Sequence, residues 1–232
     1  MEIKPIARFC APFPEKFGIP RQAGVVPSLE GRIELLPPYD DVQALRGLEG
    51  FDYLWLIWGF SANPPAPGSD PFRATVRPPR LGGNERIGVF SSRSPFRPNG
   101  LGLSAVRIKQ VGPGPVIIVE GADLMDGTPV YDIKPYVEYA DSHPGVRSGF
   151  VDAARWEPLE VVIPDAVREA GLRDGMQEQL LDTLREVLAQ DPRPAFQDDP
   201  SRSYGLSFDG FQIRFTVEGK QLTVKEIRRE NQ

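Results

Sequence analysis

The sequence predicts a mainly β protein, in which a single β-barrel domain (residues 1–148) precedes a smaller α+β domain (residues 149–232). Three observations predict this class. Short segments of alternating or β-branched residues fill the first 140 residues, and turn-forming residues separate them. The 23 glycines and 25 prolines limit long helices and favour strands joined by turns. The clearest amphipathic helical segment lies after residue 150.

Eight segments of the first domain have the composition of strands. They are residues 3–9, 31–36, 53–60, 73–77, 86–91, 103–111, 116–120 and 128–133. Many short strands at this spacing indicate a closed or nearly closed barrel, whereas strands alternating with helices would indicate a Rossmann sheet. We also expect one short helix at residues 40–48.

The second domain is predicted to contain one helix, residues 175–190, and a three-stranded antiparallel meander. Apolar residues from Met176 to Leu188 recur at helical spacing, and Asp191-Pro192 ends the pattern. Asp174 and Gln177 have the spacing of a capping box, so Asp174 is expected to cap this helix. The meander strands are predicted at residues 204–208, 211–218 and 221–227, with turns between them.

Rare residues exclude several classes of site. Cys10 is the only cysteine, so no intrachain disulfide can form, and a reducing cytoplasm is the expected compartment. With His143 as the only histidine, a Cys/His zinc site is excluded, and we expect no metal. His143 lies in a turn-like segment and is expected to be a loop residue. No apolar run approaches the roughly 18 residues that would predict a membrane-spanning helix.

Charge is unevenly distributed. The whole chain carries 27 Lys and Arg against 32 Asp and Glu, yet residues 71–107 hold seven arginines against Glu85 alone. Such a segment can bind a polyanion locally on an acidic protein. The alternative is that these arginines pair with carboxylates elsewhere in the chain, because arginine suits both tasks equally well.

Two segments combine the residue types that chemistry needs. In residues 88–104 a strand leads into a loop in which Pro95 and Pro98 restrict the backbone, so that Arg93 and Arg97 can point at a ligand with little ordering cost. Residues 123–136 hold three aspartates, which could bind a divalent metal, perform acid–base work, or form a turn. The residues alone therefore predict a rigid, arginine-lined pocket for an anionic or nucleotide-like ligand.

Several motifs in order resemble those of a known family. They are Pro20-Arg-Gln22, Arg77-Pro-Pro-Arg-Leu-Gly-Gly83, Gly88-Val-Phe90 with Arg93-Ser94 and Phe96-Arg-Pro-Asn99, Asp123-Leu124, Asp126-Gly-Thr-Pro129, Asp132-Ile-Lys-Pro-Tyr136 and Asp191-Pro-Arg193. The chain resembles the TrmO (TsaA/YaeB-like) family of S-adenosylmethionine-dependent tRNA methyltransferases over nearly its whole length. The resemblance implies a TsaA-like barrel, a homodimer, and methylation of N6 of N6-threonylcarbamoyladenosine next to the tRNA anticodon.

The residues of the matched motifs suggest catalytic and RNA-binding roles, and the resemblance implies the positions that bind the methyl donor. Asp126 or Asp132 is expected to assist proton removal, and Arg93 to orient the methyl donor or the threonyl carboxylate of the substrate. The residues expected to contact phosphates of the tRNA anticodon loop are Arg77, Arg80, Arg97 and Arg193. The residues expected to bind S-adenosylmethionine are Pro20, Arg21, Gln22, Ser61, Ala62, Arg93, Leu103, Asp123, Leu124, Met125 and Asp126.

Three alternatives remain at this level. The same fold could methylate another adenosine-type substrate, or it could be a non-catalytic RNA-binding barrel that does not bind the methyl donor. A metal-dependent hydrolase built on the aspartates is the third, and it ranks lowest because the matching motifs extend well beyond them.

Overall fold

The N-terminal part folds into a barrel in a computed structural model that describes residues 2–62, 72–78, 85–152, 157–193 and 199–230. Its eight strands are β1 (Ala7–Cys10), β2 (Glu30–Leu35), β3 (Tyr53–Gly59), β4 (Thr75–Val76), β5 (Ile87–Gly88), β6 (Leu101–Val111), β7 (Val116–Glu120) and β8 (Thr128–Pro135). Six of them pair in the order β1-β2-β7-β6-β3-β8, and β8 pairs with β1 to close the barrel. Strands β4 and β5 form a separate two-stranded ribbon.

Alternation along the strands fills the barrel. In β3 the side chains of Leu54, Leu56 and Trp58 are buried, whereas those between them are only partly covered. Successive residues of a strand point to opposite faces, so this pattern places one face of β3 in the core. Phe9, Ile33, Val106 and other apolar residues meet these side chains in the interior. The predicted mainly β class is confirmed.

The prediction of a short helix at residues 40–48 is wrong. Two 3₁₀ turns, Val42–Leu45 and Leu48–Gly50, occupy this stretch. The Asp41 carboxylate accepts the backbone N–H of Gln43 at 2.9 Å, and Gly47 follows with a φ of 88°. This local hydrogen bond competes with the α-helical pattern, and the left-handed glycine ends it.

The C-terminal part is an α+β unit. Its elements are β9 (Glu160–Val162), α2 (Asp165–Arg173), α3 (Glu178–Ala189), β10 (Tyr204–Phe208), β11 (Phe211–Glu218) and β12 (Gln221–Arg229), and a one-turn helix, α1 (Glu138–Asp141), precedes them. The sheet order is β10-β11-β12-β9, in which β9 pairs parallel with β12. The meander and α3 agree with the elements predicted from the sequence, whereas β9 and α2 are additional elements.

The expected capping box at Asp174 is also wrong, because this residue follows the end of α2. Gly175 has a φ of 94°, and its N–H donates to the carbonyl of Leu172 while that of Met176 donates to Gly171. These two bonds are the Schellman pattern of a helix C-terminus. Helix α3 therefore begins later, with Gln177 at its N-cap and no side-chain cap bond.

One stretch of the N-terminal part, residues 11–29, belongs to the core of the C-terminal part. Phe13, Val26 and Leu29 are buried there against α3 and the meander. A hydrogen bond of 3.0 Å from Ser28 Oγ to Thr183 Oγ1 adds to this packing. The stretch also carries the Pro20-Arg-Gln22 motif, so the second core fixes that motif in space. Across the described ranges, no helix has the length and apolar character of a membrane span.

Candidate functional site

A cavity of about 500 Å³ opens at one end of the barrel, and we call it the barrel-end cavity. The end of β3, the start of β6 and the connection from β7 to β8 form its walls, and loops cover its sides. Its volume lies within the range of about 300–1,000 Å³ that encloses small-molecule ligands. Its lining residues are Lys16, Ile19, Pro20, Arg21, Trp55, Trp58, Phe60, Ser61, Ala62, Ser92, Arg93, Arg97, Leu101, Gly102, Leu103, Asp123, Met125 and Thr128.

One wall of the cavity depends on a glycine. Gly102 of β6 lies opposite Trp58 of β3 in the antiparallel register. A Cβ atom at Gly102 would stand 2.3 Å from the nearest atom of the Trp58 ring, which real contacts do not allow. Because the glycine has no side chain, the indole lies directly against the backbone of β6. The Phe60 ring then packs edge-on against this indole, with 4.4 Å between centroids.

A buried hydrogen-bond chain ends in the cavity at Asp123. Trp58 Nε1 donates to Ser104 Oγ at 3.0 Å, and Ser104 Oγ donates to Asp123 Oδ1 at 2.6 Å. Burial raises the pKa of Asp123, and the Ser104 hydroxyl and the charge of Arg93 oppose that rise without cancelling it. The cavity thus contains a carboxylate whose protonation is easier than that of an ordinary aspartate.

Basic side chains from two loops line the same cavity as this carboxylate. Arg93 Nη1 donates a hydrogen bond to Gln22 Oε1, which joins the 88–104 loop to the Pro20-Arg-Gln22 motif. Partial burial lowers the pKa of Arg21, and the nearby charge of Asp191 partly offsets it. Gln190 Nε2, next to Asp191 in sequence, donates to the carbonyl of Val25 at 3.4 Å, so the C-terminal part contacts the stretch that carries Arg21.

In the Asp191-Pro-Arg193 segment, the aspartate and arginine side chains pair with each other. Asp191 has a φ of 50°, a conformation that aspartate tolerates better than most residues. Its two carboxylate oxygens accept hydrogen bonds from Nε and Nη2 of Arg193 at 2.9 and 3.1 Å. A bidentate pair of this kind fixes both side chains in one orientation.

A second concavity of about 880 Å³ adjoins the barrel-end cavity and shares several lining residues with it. Among the described residues its lining contains six basic side chains and no carboxylate. We call it the cationic groove after those six residues, which are Lys16, Arg21, Arg73, Arg77, Arg86 and Arg93. Positive charge concentrated in a concave surface attracts polyanions, and arginine in particular matches phosphate geometry.

Comparison with known proteins decides the family. A model described as the tRNA-methyltransferase O N-terminal domain matches residues 8–142, and one described as the TrmO C-terminal domain matches residues 157–230. The chain belongs to the tRNA-methyltransferase O family.

Individual family members are similar over most of their length. A tRNA (adenine(37)-N6)-methyltransferase of Escherichia coli is 41% identical over 213 residues, which cover 89% of each chain. A Pseudomonas aeruginosa protein, provisionally named as an S-adenosylmethionine-dependent methyltransferase, RcsF, is 42% identical over 207 residues, 88% of this chain and 87% of its own. A crystal structure of TrmO from Pseudomonas aeruginosa superposes with a TM-score of 0.80 at 32% identity, covering 98% of this chain and 97% of the other.

Most residues that the TrmO resemblance assigned to the methyl donor line the barrel-end cavity. They are Pro20, Arg21, Ser61, Ala62, Arg93, Leu103, Asp123 and Met125. Gln22 instead lines the cationic groove and holds Arg93. Leu124 is buried in the barrel core, and Asp126 is exposed, where its carboxylate accepts the N–H of Ala11 at 3.0 Å.

Of the three residues expected to be catalytic, which are Arg93, Asp126 and Asp132, only one lies in the barrel-end cavity. Arg93 lines the cavity, but neither Asp126 nor Asp132 does. Asp132 accepts its neighbour's N–H, at Ile133, and pairs with Lys134 at 2.9 Å. Of the three aspartates in this segment, the structure therefore brings only Asp123 into the cavity.

The four arginines expected to contact RNA also separate. Arg77 is exposed and lines the cationic groove, whereas Arg80 lies outside the described residues. Arg97 donates to the carbonyls of Val89 and Ser92, at 3.2 and 2.7 Å, and so braces its own loop. The side chain of Arg193 is only 10% exposed and is paired with Asp191.

Sequence reasoning missed the parts of the site that come from strands. Ser104 was not singled out, although a serine within the otherwise apolar stretch at residues 101–106 was a signal that could have found it. Trp55 and Trp58 lie in the apolar segment 53–60, a pattern typical of core residues. Trp58 is indeed buried in the barrel core, yet both indoles also line the cavity.

Proposed function

We propose that this chain transfers a methyl group from S-adenosylmethionine to N6 of N6-threonylcarbamoyladenosine at position 37 of tRNA. Membership of the tRNA-methyltransferase O family makes it an S-adenosylmethionine-dependent tRNA methyltransferase. The modified nucleoside and the roles of individual residues are the part that we add.

The barrel-end cavity fits the methyl donor. The aromatic faces of Trp58 and Phe60 suit a sulfonium cation, because such cations are attracted to the electron-rich face of a ring. Ile19, Leu103 and Met125 give the apolar surface that a nucleoside base needs. Lys16 and Arg21 at the rim suit the carboxylate of an amino acid. When bound, the donor supplies an electrophilic methyl group.

Asp123 is our choice for the base that accepts the N6 proton. The N–H of a urea-like nitrogen is a poor nucleophile until its proton leaves, so a nearby carboxylate assists the attack. A base works best when its pKa approaches the working pH, and burial moves the pKa of Asp123 in that direction. Ser104 and Trp58 hold the carboxylate in place, so that one orientation faces the cavity.

Arg93 is our choice for the group that receives the threonyl carboxylate of the substrate. It lines both the barrel-end cavity and the cationic groove, and its guanidinium is hydrogen-bonded to Gln22. A guanidinium can bind a carboxylate through two parallel hydrogen bonds, which orients the substrate as well as attracting it. Such positioning accounts for a large part of the rate of an in-line displacement.

The single observation that carries this proposal is the buried Asp123–Ser104–Trp58 chain inside a cavity with an aromatic wall and a basic rim. To test it, the purified protein is given methyl-labelled S-adenosylmethionine and one of two tRNAs. One tRNA carries N6-threonylcarbamoyladenosine, and the other has the same sequence without that modification. Nucleoside mass spectrometry should find the label only in the first tRNA and only on that nucleoside.

Other outcomes of this assay select the alternatives. Label on unmodified adenosine would favour a methyltransferase with another adenosine-type substrate. A non-catalytic RNA-binding barrel would be favoured if the protein binds tRNA but transfers no label to it. Calorimetry would then also detect no binding of S-adenosylmethionine. We further propose that the protein acts in the cytoplasm as a homodimer, which sedimentation and cell fractionation can test.

A further inference from the structure

Two phenylalanines at the surface border the site. The side chain of Phe90 is 71% exposed and that of Phe72 is 37% exposed. Their rings stack on each other with 6.2 Å between centroids and 29° between planes. Single exposed apolar residues are common and need no explanation. A stacked pair of large rings facing solvent is different, because it presents a flat aromatic surface to a partner.

The position of Phe90 is fixed. It lies in a 3₁₀ turn, Val89–Ser91, whose first N–H donates to the carbonyl of Ala74 at 3.0 Å. Arg97 donates to the carbonyl of Val89 in this turn and to that of Ser92 just after it, and its guanidinium carbon stands 5.6 Å from the centroid of the Phe90 ring. A surface that is already ordered loses little conformational freedom on binding.

Residues that contact or adjoin the pair line both concavities of the site. Arg97, which braces Phe90, lines the barrel-end cavity. Arg73, the neighbour of Phe72, lines the cationic groove, and its guanidinium covers the Phe96 ring at 4.8 Å. A nucleic acid strand whose phosphates follow the groove would therefore pass beside the two rings.

We propose that the Phe72–Phe90 pair is a stacking platform for a nucleobase of the anticodon loop next to the nucleoside in the cavity. This inference rests on the proposed function, because it assumes that tRNA is the substrate of the cavity. Every base has a flat face that can stack on an aromatic ring, and a single-stranded loop can expose one for this purpose. The groove supplies phosphate contacts, and the platform adds affinity without choosing a sequence.

Three variants of Phe90 test the platform in the full chain, with an exposed tyrosine as control. Phe90→Ala and Phe90→Leu remove the ring, Phe90→Trp keeps an aromatic face, and Tyr139→Ala removes a ring that is 91% exposed elsewhere. The probe is an anticodon stem-loop RNA that carries N6-threonylcarbamoyladenosine, and its Kd is measured by fluorescence anisotropy. We expect Ala and Leu to weaken binding by about 5- to 150-fold, which corresponds to ~1–3 kcal/mol of base stacking, while Trp and the control bind like wild type.

Two further measurements separate a loss of stacking from other causes of weaker RNA binding. The affinity for S-adenosylmethionine should be the same in every Phe90 variant, which also shows that each variant is folded. The slope of log Kd against log salt should be unchanged, because no charge is removed.

The platform is disproved if Phe90→Ala binds the stem-loop like wild type, or if Leu replaces Phe without loss. It is also disproved if Phe90→Ala dissociates a wild-type dimer in sedimentation, because the rings would then be covered by a second copy of the chain. Failure of the proposed function looks different, since the wild-type protein itself would then not methylate the stem-loop.

Discussion

At the scale of the residue, Asp123 accounts for most of the proposed chemistry. A carboxylate that is desolvated in a barrel lowers the stability of the folded protein when it is charged. Because its folded pKa is raised, the folded state holds this proton more tightly than the unfolded state does. Stability from this group is therefore greatest at low pH and is lost as the pH rises through the folded pKa. Perturbed carboxylates of this kind concentrate at functional sites.

The hydroxyl of Ser104 should set the pH at which the enzyme becomes active. Ser104→Ala removes a donor that lowers the pKa of Asp123, so the pKa should rise further. A hydrogen bond to a charged group is worth ~1.5–3 kcal/mol, so the loss of this donor is large enough to be measured. Because the base must be deprotonated, the part of the pH–rate profile that falls toward low pH should move to higher pH. Single-turnover rates, measured across a range of pH at saturating methyl donor in wild type and Ser104→Ala, test this shift.

Thr183→Val is the matched control for Ser104→Ala. Thr183 is another buried hydroxyl, and it contacts Ser28 in the C-terminal core rather than the cavity. Its variant should lose some stability and keep the wild-type pH profile. An unshifted profile in Ser104→Ala would mean that Asp123 does not limit the rate.

The sequence could not decide which aspartate enters the site. Asp123, Asp126 and Asp132 lie within ten residues, and each has a plausible role in the same motifs. The choice depends on the chain reversal after β7, where Gly121 adopts a φ of 75° and its N–H donates to the carbonyl of Leu29. That bond joins residues far apart in the chain, and no local pattern reports it.

At the scale of the element, the pairing of β3 with β6 builds the wall of the cavity. Gly102→Ala should displace the Trp58 indole, because the added Cβ would stand 2.3 Å from the ring. Overpacking of this kind costs about 1–3 kcal/mol. We expect a lower Tm and weaker binding of S-adenosylmethionine, measured by calorimetry.

Gly205→Ala provides the comparison for this glycine. Gly205 lies within strand β10, and an added Cβ there would meet nothing within 4 Å. This variant should keep its affinity for the methyl donor and a Tm at or slightly above that of wild type, because alanine suits a strand better than glycine does. Equal effects in both variants would contradict the proposed role of the Trp58 wall.

Elements with a clear strand composition were predictable, and the turn segment after Pro38 was not. Strands β3, β7 and β11 lie within one residue of their predicted bounds, because β-branched, aromatic or alternating apolar residues fill each of them. The segment at residues 40–48 is too short for a helical period to dominate, so one side-chain hydrogen bond at Asp41 decided it. The prediction that Asp174 caps α3 was wrong because Asp174 lies at the C-terminal end of α2, a helix that was not predicted.

At the scale of the whole molecule, the two parts share residues across the chain. Residues 11–29 precede most of the barrel in sequence, yet Phe13, Val26 and Leu29 pack into the C-terminal core. The sequence could not indicate this, because the stretch has no periodic pattern and its partners lie more than a hundred residues away. The consequence is that the C-terminal part holds the Pro20-Arg-Gln22 motif at the rim of the cavity.

The cationic groove should make tRNA binding strongly dependent on salt. Arg77→Ala removes one of its six basic residues, so the slope of log Kd against log salt should fall by about 0.7–1. Arg185→Ala is the control, because Arg185 is exposed on α3 and pairs with Asp182 outside the groove. A wild-type affinity that does not change between low and moderate salt would contradict phosphate binding in the groove.

The most direct test of the central claim compares wild type with Asp123→Asn in single-turnover methyl transfer, while the affinity for S-adenosylmethionine is measured in the same samples. Asparagine keeps the size of the side chain but cannot accept the N6 proton. We predict that the rate at saturating donor falls by about 10²- to 10⁴-fold, while the donor affinity changes little. A variant that transfers the methyl group at the wild-type rate once the donor is saturating would contradict the assignment of Asp123 as the base.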